Sequence, residues 1–579
     1  MNLSAFFSLR RAENISWYSS HSCTLRPLFA AILCVAGIML GLSSNAPSFP
    51  MALHVGQPLQ NLPPFTPVSL LLSVAVSAIR MVGCMVLACA AAFAGAGLVF
   101  GKKDASTTLL ALLRVLRAAP LPTFYFLALP FCAVLLNRSF VELLAGEVLI
   151  CAPVFAAFAI PLTMAAIETH QTVPDDLVLA SRSFGLYGWS RFWRLYVPFS
   201  VPRMAHAANR AMKDAWCVLM FTEFCSTALS ISLVPGLGTQ TAFAAIRMSV
   251  PEVVSIVVIA ATLVIFFDRL IMVPLMGWSS RFEEKTSSSR RSVSGFWKNT
   301  PVLTACFSAL TRSLRAIGNL RIGRPIHSEI LDAPERTTKI AFYAMPVLGV
   351  IGLLLCALSP YGLPDAGTSL RMILLGFAEL FSLLIPILLY SVLLLPLAVY
   401  LRRHSRKLMF YLRFFTLFPA VLLFPFLVDL TGSNSILSPI LFVGLPFFVA
   451  MYILTGARNF PNRLLEVATS YEIRGWLRWK TILLPGLAEP WLQGVRRAFV
   501  WAWNVTIAAD VIFWGNQFSL HGFIGREIMK GARQDDIAYA VFGCLVMTLL
   551  AIGMDFLVWE PLSGYVHRRI NGKTPSGSA

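Results

Sequence analysis

Long apolar runs alternate with short polar breaks along most of the chain. The runs fall near residues 27–43, 68–100, 118–136, 141–167, 205–227 and 251–277, then near 340–358, 370–401, 409–430, 436–456, 492–514 and 537–560. A membrane-crossing helix needs about 20 mostly apolar residues, so the pattern predicts six spans, a gap, and six more. The gap, 279–338, is the one long polar stretch. It contains the run SSSRRS and reads as a basic cytosolic linker. The expected molecule is an all-α integral membrane protein of about twelve helices, with a first half over 1–278, the linker 279–338 and a second half over 339–579.

Composition agrees with that solvent. Only 13% of residues are charged and mean hydropathy is +0.72, against about 25% charged in a soluble domain. A net charge of +19 would suit a nucleic-acid partner if it formed one patch. Here the Lys and Arg residues sit in short loops between apolar runs, which points to a charge bias of the cytosolic face and to no nucleic acid. Three stretches placed outside, 44–67, 359–369 and 431–435, carry no Lys or Arg at all. The stretches placed inside hold Lys102, Lys103, Arg114 and Arg117, then Arg402, Arg403, Arg406, Lys407 and Arg413. Arg10, Arg11 and Arg26 precede the first run, and Arg568, Arg569 and Lys573 follow the last. Both termini are expected in the cytosol of a cell with a cytoplasmic (inner) membrane. The eleven cysteines are scattered, with no CxxC and no Cys/His spacing, so no metal site is indicated.

The two halves resemble each other. Shifted by 287 residues, they align without a gap from Pro174/Pro461 to Leu275/Leu562. Matched pairs include Gly188/Gly475, Trp189/Trp476, Arg191/Arg478, Pro198/Pro485, Arg210/Arg497, Trp216/Trp503, Gly238/Gly525 and Asp268/Asp555. Apolar bias would match Leu with Val; it would not align Trp, Arg, Gly, Asp and Pro. The chain reads as a tandem duplication of a six-span unit. An even number of spans per unit orients both copies alike, about an axis along the membrane normal.

Within the repeat, each copy carries a basic, Trp-led segment, GWSRFWRLYVP from Gly188 and GWLRWKTILLP from Gly475. Each follows a short helix. The cap signals are Thr172 with Asp175 and, at the matching place, Asn459, with Pro174 and Pro461 in the first turn. An Arg costs about 2.5–3.5 kcal/mol at a bilayer centre, so Arg182, Arg191 and Arg194 keep this segment at the cytosolic surface. It is either an interfacial helix or a docking element for a partner that comes in two copies.

The segment resembles the signature of ATP-binding cassette importer permeases: Glu-Ala-Ala, then Gly, then Leu-Pro, in the cytosolic loop before the last two spans. The second copy reads Glu466-Val467-Ala468 and Leu484-Pro485, with Glu472 where the signature has glycine. The first reads Leu179-Ala180-Ser181, keeps Gly185 and ends Val197-Pro198. The texture is most similar to nitrate/sulfonate/taurine-type permeases, in particular their fused, duplicated anion-transport members. The resemblance implies a type I importer-like architecture and two cytosolic ATP-binding subunits. It also implies an extracytoplasmic solute-binding protein and inward movement of a small anion such as nitrate or a sulfonate. Fused permeases for iron or thiamine have a similar look. Coupling to the ATPases would fall on Arg182, Phe184, Gly185, Trp189 and Arg191, and on Glu466, Tyr471, Glu472, Trp476 and Arg478.

Other function classes lack their marks. No GxxxxGK[ST], nucleophile elbow or HExxH occurs, so the chain is expected to be a transport subunit with no ATPase site, cofactor or catalytic residue of its own. A major-facilitator-type transporter should carry a Gly- and Asp-containing basic motif between its second and third spans, and GKKDASTTLLALLR holds none. Charges within or beside spans mark pathways or buried pairs. Arg210, Glu223, Arg497 and Asp510 are the pathway candidates, whereas Asp268 and Asp555 read as paired residues near span ends. Lys213, Asp214, Glu379 and Asp429 share this intramembrane setting. The small-residue run GCMVLACAAAFAGAG (83–97) predicts close helix packing.

Overall fold

The computed structural model describes residues 64–101, 103–128, 142–170, 172–186, 188–229, 235–282, 365–401, 405–431, 445–460, 462–514, 517–518, 523–533 and 537–571. The expected spans at 27–43 and 340–358 lie outside them, as does most of the linker.

In the first half, α1 (Pro67–Leu98), α2 (Lys103–Ala118) and α3 (Glu142–His170) precede two short helices, α4 (Asp175–Ser183) and α5 (Gly188–Arg191). A π-helical turn, Phe192–Tyr196, leads into α6 (Val197–Ala228), followed by α7 (Leu237–Ile246) and α8 (Val250–Phe267). A second π turn, Asp268–Met272, leads into α9 (Val273–Ser279). The second half runs α10 (Ala366–Tyr400), α11 (Ser405–Leu417), α12 (Phe424–Thr431), α13 (Leu445–Asn459), α14 (Asn462–Ser470) and α15 (Gly475–Arg478). A π turn at Trp479–Leu483 precedes α16 (Leu484–Val511). Then come a two-residue hairpin, β1 (Phe513–Trp514) with β2 (Gln517–Phe518), and α17 (Ile524–Arg533) and α18 (Ile537–Met554). A last π turn, Asp555–Trp559, leads into α19 (Glu560–Asn571).

The 287-residue shift recurs in these bounds. α4 maps onto α14, α5 onto α15, α7 onto α17 and α8 onto α18 residue for residue, and both π turns of the first half fall on those of the second. A π turn inserts one residue into the helical ladder, so finding it twice at matched positions means both copies re-aim the following helix alike. Packing follows the same order in each half: α1 on α3 on α6, and α10 on α13 on α16.

Sequence explains the local shapes. α1 begins with a capping box, Thr66 with Ser69, and Pro67 at its first position, where a missing N–H costs nothing. Ala88, Ala92 and Ala96 are fully buried while Leu87 and Leu98 are 63% and 76% exposed. The small side of α1 packs against protein and the large side faces outward, as the small-residue run implies. The expected single span at 409–430 is broken instead. α11 stops at Leu417, and a 3₁₀ turn at Ala420–Leu423 follows Pro419, because proline cannot donate to the ladder.

Five helices among the described residues are long and apolar enough to cross a membrane: Pro67–Leu98, Gly146–His170, Val250–Ser279, Gly367–Tyr400 and Tyr539–Val566. The helices over the expected spans 205–227 and 492–514 are long but not in this set. α6 carries Arg203, Arg210, Lys213, Asp214 and Glu223, and α16 carries Arg496, Arg497 and Asp510. They lie where the halves meet, and the charges there face protein or a cavity rather than lipid.

Candidate functional site

Two elements present chemistry at one end of the molecule. α4 opens at Asp175 with Pro174 as N-cap and no side-chain cap hydrogen bond. The expected Thr172 cap is therefore corrected: its hydroxyl donates to the Thr169 carbonyl at 3.0 Å. Asp175 and Asp176 occupy the first turn and Arg182 the last, each favourable to the helix dipole.

Both short helices end in the same motif. Leu186 N donates to Ser181 O at 2.9 Å and Gly185 N to Arg182 O at 2.9 Å. In the second copy Ile473 N donates to Ala468 O at 2.8 Å and Glu472 N to Thr469 O at 3.1 Å. This paired pattern needs a left-handed residue just past the helix. Gly185 supplies it with φ 70°, and Glu472, in the glycine's place, is forced to φ 51°. Immediately before it stands an exposed aromatic, Phe184 at 80% and Tyr471 at 77%. Arg182, Glu466 and Glu472 are also exposed.

The Trp-led turns differ between copies. Trp189 is half-buried, with ring centroids 5.7 Å from Phe192 and 5.4 Å from Trp193. That cluster continues through Phe100, and the Arg191 guanidinium lies 5.7 Å from the Phe100 ring centroid. Trp476 is 73% exposed. Arg191 and Arg478 are half-buried. In the first copy, then, Trp189 and Arg191 belong to an aromatic platform; in the second, Trp476 is presented outward.

A cavity of about 1510 Å³ separates the halves. It runs from Thr172 and Pro174, beside α4, to Asp214 and Asn504. Arg114, Arg117, Arg203, Arg210, Arg496 and Arg497 line it, against Glu168, Asp214, Glu489, Asp555 and Glu560. Along and beside it the halves are tied together. Arg497 pairs with Asp214 at 2.5 Å, Leu121 N donates to Asn504 Oδ1 at 2.8 Å, and Lys213 Nζ donates to Thr416 Oγ1 at 3.1 Å. Asp268 accepts from Arg413 of the other half at 2.8 Å, and Asp555 is gripped by Arg496 at 2.8 and 2.9 Å. These two acids are paired, as their span-end placement suggests.

The pathway candidates separate into two kinds. Arg210 and Arg497 line the cavity. Glu223 and Asp510 do not line it. Glu223 is fully buried inside the first half, accepting from Ser77 Oγ at 2.8 Å, Arg80 Nη1 at 2.7 Å and Gly238 N at 2.9 Å. Arg80 also holds Glu147 through two hydrogen bonds, at 2.7 and 2.8 Å, and donates to the Pro235 carbonyl. A Cβ on Gly238 would come within 2.1 Å of Met220 O, so only glycine lets α7 approach close enough to donate to this carboxylate. Asp510 accepts backbone N–H groups of Gly525 and Arg526 at the matched place. Its neighbour is Glu379, which accepts from Thr506 Oγ1 at 2.7 Å and from Ile524 N. Sequence reasoning missed Arg80, although an Arg inside an apolar run was the signal.

Residues 395–559 match a protein-family model described as "Binding-protein-dependent transport system inner membrane component". The match starts in α10 and ends at the last π turn, so it includes α14, α15 and their flanks. No solved structure matches the chain. The match supports an ATP-binding cassette importer permease, and with the five apolar helices it supports a multi-pass protein of the inner membrane.

Proposed function

We propose that the chain is the membrane permease of a binding-protein-dependent importer, two fused six-helix units that enclose one solute path. The family match carries the permease reading. The recurrence of helix bounds and π turns at a shift of 287 residues supports the duplication and the division at the linker 279–338. Permeases of this kind are driven by partners that hydrolyse ATP. Two such subunits would dock on α4–α5 and α14–α15, and an extracytoplasmic binding protein would deliver cargo from the opposite face. ATP is then bound by the partners, and this chain needs no cofactor of its own. The cargo is a small anion of the nitrate or sulfonate class, in keeping with the arginines of the inter-half cavity.

Exposed Phe184 and Tyr471 are the docking aromatics. An aromatic held at 77–80% exposure beside a rigid helix cap suits insertion into a partner's cleft, where such residues dominate binding. Closure of the partners would push on both caps together and rock the halves about the cavity. Replacing both by Asp tests this. Co-purification of the ATP-hydrolysing subunits should be lost while the chain still inserts in the membrane. Retention of those subunits at the wild-type level would sink the docking role.

A further inference from the structure

The cavity between the halves is uneven in charge, and the repeat shows where. Arg497 is neutralised across the interface by Asp214, and Arg496 beside it by Asp555. At a shift of 287 the mate of Arg497 is Arg210, and the mate of Asp214 is Trp501. The acid that would answer Arg210 has thus been replaced by an indole. Arg210 is exposed to the cavity, with no hydrogen bond or ion pair among the described residues. Glu168 acts on it only from beyond contact and also faces Arg114.

Arg117 reaches the same space from α2 and likewise has no ion pair among the described residues. It is surrounded by protein yet open to the cavity. Charges of Arg497, Arg496 and Arg210 bear on it, and Asp555 partly offsets them. Asp555 is itself engaged by Arg496. Two guanidinium groups therefore face shared space with no acid in contact among the described residues, in surroundings where Coulomb terms exceed those in water.

We infer that Arg117 and Arg210 hold a small oxyanion on the wall of this cavity. Each presents a planar fork of donors matched to a carboxylate-, sulfonate- or sulfate-type group. One such anion relieves the repulsion among all four arginines at once. Arg497 stays out of the site because Asp214 occupies it, so Asp214 sets how strongly the ion is held. The site deepens the transport reading, on which it rests only for the ion to be cargo.

The test uses the full chain in lipid nanodiscs, with no ATP-hydrolysing partner, and radiolabelled sulfate and nitrate in equilibrium dialysis. At least one of these anions should bind saturably, and choline should not. Arg210→Gln and Arg117→Gln should each weaken binding by about tenfold or more, the loss of a charge-assisted hydrogen bond. Asp214→Asn keeps a side chain of the same shape and frees Arg497, so it should tighten binding several-fold, a gain that mere misfolding does not produce. Gel filtration confirms that each variant remains folded. No saturable binding of either anion, unchanged affinity in Arg210→Gln, or weaker binding in Asp214→Asn would each overturn the inference. Partner docking is absent from this assay, so a negative result leaves that reading standing, and a failure of docking leaves this one intact.

Discussion

Glu223 and Asp510 are repeat mates with opposite solutions to one problem. Both are buried acids that receive a backbone N–H from the first turn of a matched helix, Gly238 of α7 and Gly525 of α17. In the first half Ser77 receives Leu237 N; in the second, Glu379 receives Ile524 N, the mate of Leu237. Ser77 and Glu379 thus stand in the same place. Three residues on, where the first half has Arg80, the second has Ser382. One copy therefore buries a compensated network, Glu147–Arg80–Glu223. The other buries two carboxyl groups that form no ion pair among the described residues: the Arg526 charge bears on Asp510 without contact, and Glu379 Oε2 and Asp510 Oδ2 lack hydrogen-bond partners there. The matched positions share their backbone hydrogen bonds, while their side-chain electrostatics differ.

The largest effect is expected from breaking the compensated copy. Arg80→Leu strands Glu223 in a fully buried position, and an uncompensated buried charge costs about 3–5 kcal/mol. Thermal unfolding of the detergent-solubilised chain should fall sharply or the protein should fail to accumulate. Adding Glu223→Gln to Arg80→Leu should recover much of that loss, since a charge and its counter-charge leave together. Wild-type stability in the single variant would show that the network is dispensable.

The second effect concerns the Trp-led turns. Trp189 stacks within an aromatic cluster while Trp476 faces outward. Trp189→Ala should cost about 2 kcal/mol through lost packing and ring contacts. Trp476→Ala should leave unfolding unchanged and instead reduce partner-stimulated ATP hydrolysis. Equal destabilisation by both substitutions would erase the distinction between platform and presented residue.

The third sharpens the carboxyl comparison. Glu379→Gln removes one of two adjoining buried carboxyl groups that no guanidinium contacts among the described residues, and the amide oxygen still accepts from Thr506 and Ile524. It should be neutral or stabilising by about 1 kcal/mol, whereas Glu223→Gln, which takes the acid from Arg80, should destabilise. A marked loss on Glu379→Gln would mean that its carboxyl group is needed.

Much of this was legible in the chain. The Gly, Trp and Pro residues shared at a fixed shift located α4–α5 and α14–α15, because turn and cap geometry is local and written in residue type. The side-chain partnerships were not. Asp214 meets Arg497 across 283 residues, and no periodicity announces such a contact. Glu379 stands 302 residues from Ser77, not 287, so the gapless alignment that revealed the repeat stops short of the helix on which the two copies differ most. For the same reason the partners of Glu223 were not legible: an acid in an apolar run says that it is compensated, not by what.

The smallest effect tests the cap. Gly185 and Glu472 occupy the same left-handed position, with φ 70° and 51°, and the same pair of hydrogen bonds closes each helix. An L-residue there carries about 1 kcal/mol of strain that glycine does not. Nothing lies within 4 Å of a Cβ built at Gly185, so strain, not crowding, sets the cost. Gly185→Glu should therefore destabilise the α4 end by about 1 kcal/mol, and Glu472→Gly should relieve the α14 end by a similar amount. Hydrogen exchange at Leu186 and Ile473, whose N–H groups close the two motifs, reads this locally. Protection should fall at Leu186 in the first variant and rise at Ile473 in the second. If Glu472→Gly lowered protection at Ile473, the carboxylate would be holding the turn and the two caps would not be equivalent.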